Sequence, residues 1–70
     1  MGDLSAAVKT MESAVKRNPT APALNNLGSV YANRGEIQKA VQAFQTAVRV
    51  DPSFEPARRN LEKALADAAH

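Results

Sequence analysis

Seventy residues are enough for one small domain, whose core stays marginal unless a crosslink or a metal staples it. The chain has no cysteine and its single histidine is the terminal His70, which rules out disulfides, thiolate metal sites and cysteine nucleophiles and leaves no internal imidazole for acid-base work. Nine Lys or Arg stand against seven Asp or Glu, interspersed along the chain, and this net charge of +2 carries no nucleic-acid or membrane-surface footprint.

The first predicted helix covers residues 3–17. Leu4, Ala7, Val8, Met11, Ala14 and Val15 recur at intervals of three and four, Asp3 supplies an expected N-cap, and Asn18-Pro19 ends the run. The second covers residues 22–34, with Leu24, Leu27, Gly28 and Tyr31 on its apolar face. Pro22 is tolerated in its first turn, and Gly35 can take the left-handed conformation that closes a helix. The third covers residues 36–50 and carries Ile37, Ala40, Val41, Phe44, Ala47 and Val48 before Asp51-Pro52 stops it. The fourth covers residues 53–68, with Ser53 as its expected N-cap, followed by Ala57, Leu61, Ala64, Leu65 and Ala68. No stretch alternates with period two for long enough to make a strand. The expectation is an all-α chain of four helices forming a single domain over residues 1–70, with short turns that make neighbouring helices antiparallel.

The chain also repeats itself. Residues 2–19 lie over 35–52 at an offset of 33, which sets Gly2 on Gly35, Ala7 on Ala40, Val8 on Val41, Ala14 on Ala47 and Pro19 on Pro52. The second and fourth helices correspond at an offset of 34, through Pro22 and Pro56, Asn26 and Asn60, Leu27 and Leu61. Two helix types alternate, and a period of this length in paired helices points to a solenoid.

Leu24, Leu27, Gly28, Tyr31, Ala40, Phe44, Ala47 and Pro52, spaced as they are over residues 21–54, resemble the tetratricopeptide repeat family. The resemblance covers one complete unit, with half units before and after it. It implies antiparallel helix pairs of a short right-handed α-solenoid. Gly28 would then face Ala40, the absence of a side chain letting two backbones approach closely and offsetting the roughly 1 kcal/mol that glycine costs in a helix.

The same resemblance implies a protein-protein interaction module with no chemistry and no cofactor of its own. Its second and fourth helices would line a concave groove for a peptide or a partner helix. That nominates Asn25, Asn26, Ser29 and Asn33 on one helix and Arg59, Asn60 and Lys63 on the other. Arg59 and Lys63, four residues apart, would set two cations on one face, suited to acidic groups or a C-terminal carboxylate, while Asn26 and Asn60 would offer amides to a peptide backbone. The same stripe also reads as an ordinary solvated helix face. Nucleic acid and membrane are not among the expected partners.

The two ends differ. At the places of Leu24 and Gly28 the fourth helix has Arg58 and Glu62, which read as a polar cap on the array. The first helix shows a broad apolar surface that one following pair cannot cover, so self-association through it, or origin in a longer array, stands as the alternative. Catalysis finds no support, because Ser5, Ser13, Ser29 and Ser53 have no histidine to activate them and no glycine-rich phosphate loop follows a strand.

Overall fold

A computed structural model describes residues 4–69 and shows four helices: α1 (Leu4–Arg17), α2 (Ala21–Asn33), α3 (Ile37–Val50) and α4 (Glu55–Ala68). No strand occurs among the described residues. The expected cap Asp3, the side chain of Leu4 and the terminal His70 lie outside them. The helices form a slab with extents of 29 × 29 × 15 Å. Helix α2 adjoins each of the other three, α3 also adjoins α4, and α1 adjoins α2 alone.

The turns explain the helix ends. Thr20 is extended (φ −93°, ψ 155°) and its hydroxyl oxygen accepts from the Ala23 N–H at 3.3 Å, so α2 begins at Ala21, one residue earlier than the proline suggested. Its far end closes on Gly35, which sits at φ +83°; the Gly35 N–H donates to Ala32 O at 3.0 Å and the Glu36 N–H to Tyr31 O at 2.9 Å. This paired pattern satisfies the last carbonyls of α2 and turns the chain straight into α3. Ser53 does not cap α4. Asp51 captures it, its Oδ1 accepting from the Ser53 N–H at 3.1 Å and from the Ser53 hydroxyl at 2.6 Å. That local turn uses up the hydroxyl, and Phe54 takes the cap position without a side-chain bond.

Gly28 meets a different neighbour from the one expected. A Cβ placed there would lie 2.6 Å from the Phe44 ring, one turn along α3 from Ala40. The glycine therefore accommodates an aromatic face pressed against the α2 backbone. Ala40 and Ala47 are both 0% exposed, sealed between the helices. Their counterparts on α1, Ala7 and Ala14, are exposed. The larger apolar residues of α1 turn inward: Val8 is buried, and Met11 and Val15 pack half-buried against the core. Among the described side chains, the apolar surface left open on α1 is thus made of small residues. On α4 only Ala57 and Ala64 are buried, and Leu65, read as apolar-face from sequence, is 46% exposed.

Candidate functional site

Helix α2 presents two unlike sides. Residues two apart on a helix lie roughly 200° around it, so Leu27 and Tyr31 look one way while Asn25 and Ser29 look the other. The polar side meets α4. There the Asn60 side-chain N–H donates to Asn25 Oδ1 at 2.8 Å, clasping the two helices across a half-buried contact. The Ser29 hydroxyl turns back to Asn25 O at 3.1 Å. Beyond the clasp opens a hollow of about 250 Å³, with Ser29, Asn33, Asn60, Lys63 and Asp67 on its rim and Phe44, Ala64 and Ile37 giving it an apolar wall.

The structure thus brings together four of the nominated groove residues, Ser29, Asn33, Asn60 and Lys63, and places Asn25 beside them in the clasp. Asn26 and Arg59 are exposed and do not line the hollow. The amide that meets Asn60 belongs to Asn25 and not to its repeat counterpart Asn26. Asp67 adds a carboxylate four residues from Lys63, and neither has an ion-pair partner among the described residues. The apolar wall is hidden in the sequence because the three- and four-residue spacing places Ile37 and Phe44 on the core stripe of α3. Their i, i+7 spacing at one edge of the α3 stripe is the signal that could have flagged them.

The apolar side of α2 meets α1 and α3. Tyr31 is buried and its hydroxyl donates to the Glu12 carboxylate, the one side-chain hydrogen bond that ties α1 to the helix pair among the described residues. Burial first, then this hydrogen bond and the charges of Glu12 and Glu36, push the Tyr31 hydroxyl from 10.0 up to about 12, against a lowering by Arg34. Lys39 Nζ stands 5.7 Å from the ring centroid and 3.3 Å from Glu36 Oε1, while Arg34 Nε lies 3.0 Å from Glu36 Oε2. Sequence reasoning missed the Glu12–Tyr31 pair. The available signal was a core tyrosine, whose hydroxyl needs a partner when buried.

Helix pairs stacked through a glycine and sealed alanines define a helical repeat module. The tetratricopeptide repeat model matches residues 21–54, which span α2, α3 and the turn that follows. The chain carries a tetratricopeptide repeat, a non-catalytic interaction fold, with α1 and α4 packed on either side of it.

Among curated proteins, the chain is 37% identical over 60 residues to the peroxisomal targeting signal receptor of Saccharomyces cerevisiae, a match covering 84% of this chain and 10% of that protein. It is 38% identical over 60 residues to the Petunia hybrida protein described as "Probable UDP-N-acetylglucosamine--peptide N-acetylglucosaminyltransferase SPINDLY", covering 84% of this chain and 6% of that protein. The chain spans a tenth or less of the length of these two relatives. No solved structure matches it at a significant level.

Proposed function

We propose that this interaction module binds a peptide, or a helix of a partner protein, in the hollow between α2 and α4. The Asn25–Asn60 clasp carries the reading. Each amide spends one group on the other, and what remains is the Asn25 side-chain nitrogen as a donor and the Asn60 side-chain oxygen as an acceptor. One donor beside one acceptor is the complement of a peptide unit. Lys63 at the rim suits a carboxylate on the ligand, either an acidic side chain or a chain terminus, and Phe44 with Ile37 offers an apolar wall for a flanking side chain. The likeness to a protein named as a targeting signal receptor supports the same reading.

Selection of a displayed random peptide library against the chain, followed by titration of the enriched peptides, tests it. Enriched peptides should lose about tenfold in affinity on Lys63→Glu and on Asn60→Ala, with helicity unchanged, on the scale of one charge-assisted contact. Retained affinity in both variants would sink the proposal. Arg59→Glu, outside the hollow, should matter less than Lys63→Glu.

A further inference from the structure

On the opposite side of α2 the slab is also grooved, because α1 and α3 do not adjoin each other. An open trough of about 620 Å³ is lined by Lys9, Glu12, Ser13, Val15, Lys16 and Leu27. It continues along α2 into a second hollow of about 310 Å³ that shares Glu12 and Leu27 and reaches Tyr31 and Lys39. Its floor is apolar. Its rim is basic: Lys9 and Lys16 have no ion-pair partner among the described residues, and Lys39 is held by Glu36 over the Tyr31 ring. The opposing charge in the trough is Glu12, whose carboxylate is drawn to the floor by the Tyr31 hydroxyl. Glu36 lies further along, between Arg34 and Lys39.

We infer that this trough is a second docking surface, distinct from the α2–α4 hollow, and that its occupant is an acidic amphipathic helix of a partner protein. Charge complementarity selects the occupant. Lys9 and Lys16 are seven residues apart on one stripe of α1, about 10 Å along the axis. A helix laid alongside matches them with two acidic residues seven apart, and an apolar residue between those two drops against Leu27 and Val15. The exposed face of α1 made of Ala7 and Ala14 lies on the other flank of the helix and takes no part.

The test uses a fluorescein-labelled, alanine-based helical peptide with two glutamates seven residues apart and a leucine midway, titrated by anisotropy against the intact chain. Saturable binding is expected, weakening at least tenfold in the Lys9→Glu/Lys16→Glu variant and falling with added salt. Glu12→Gln keeps an acceptor for Tyr31 and removes the repelling charge, so affinity should rise severalfold. Lys63→Glu should leave binding unchanged, which separates this surface from the other. Any of four results overturns the inference: no saturable binding, equal affinity in the double lysine variant, equal binding of a peptide with lysines in place of the glutamates, or a wild-type dimer in sedimentation that the double variant dissociates. Both lysines are exposed, so circular dichroism of the variants should match wild type.

Discussion

Gly28 shows how a single position can be unfavourable locally and required tertiarily. Replacing it by alanine gains about 1 kcal/mol of helix propensity but forces a methyl into the Phe44 ring, a close approach in a buried place where overpacking costs about 1–3 kcal/mol. Gly28→Ala should therefore lower stability by about 1 kcal/mol in urea denaturation. The sign should reverse in a Phe44→Leu background, where the ring no longer blocks the methyl and only the helix gain is left. Equal costs in both backgrounds would mean that Phe44 is not the obstacle. The sequence made the need for a small residue at Gly28 legible, because a glycine in a strongly periodic helix demands a close neighbour. It could not say which residue of α3 supplies that neighbour. Ala40 and Phe44 share a face one turn apart, and the choice depends on the crossing geometry of two helices.

At the level of helices, Tyr31 is where α1 is fastened to α2. Its hydroxyl is raised to about 12 in the folded chain against 10.0 when free, so folding favours the protonated form. The stability this gives is fully present below pH 10. It is lost as pH rises from 10 toward 12, where the unfolded chain has already released its proton. Tyr31 is the only tyrosine and there is no tryptophan, so the ultraviolet tyrosinate band reports this group alone. Tyr31→Phe should cost about 1 kcal/mol near neutrality through the lost bond to Glu12 and should flatten that alkaline decline. A tyrosinate midpoint at 10 in the folded protein would contradict the contact.

The four helices themselves were readable from three- and four-residue spacing and from Asn18-Pro19, Gly35 and Asp51-Pro52. The caps were less so. Thr20 and Ser53 are both hydroxyl residues beside a proline turn, yet only Thr20 caps, because Asp51 competes for Ser53 and no acid competes for Thr20. Four of the seven groove residues line one hollow, and Asn25 joins them through its clasp with Asn60. The clasp depends on how far α4 rotates about its axis against α2, which a repeat offset of 33 in one half and 34 in the other does not settle.

Across the whole molecule, cohesion is uneven. Helix α2 is packed by three neighbours, α3 and α4 by two each and α1 by one, and α4 buries only Ala57 and Ala64 where α3 buries five residues. Local opening follows the density of packing, so native-state hydrogen exchange should rank α2 and α3 as best protected and α1 as least, with α4 between them. Protection of α1 equal to that of α3 would show that something covers its exposed alanines in solution. Concentration-dependent protection confined to α1 would identify that cover as a second copy.

Among the described residues, half of the twelve buried apolar ones are alanines: Ala21, Ala40, Ala43, Ala47, Ala57 and Ala64. An interior of that kind has almost nothing left to trim. Cavity-forming substitutions, the usual way in which cores lose stability, are confined to a few leucines, valines and aromatics, while at half the sites every change other than to glycine is an enlargement against a helix wall. Neutral drift in this chain is therefore squeezed out of its interior and onto its surface, where both of the docking faces proposed above lie.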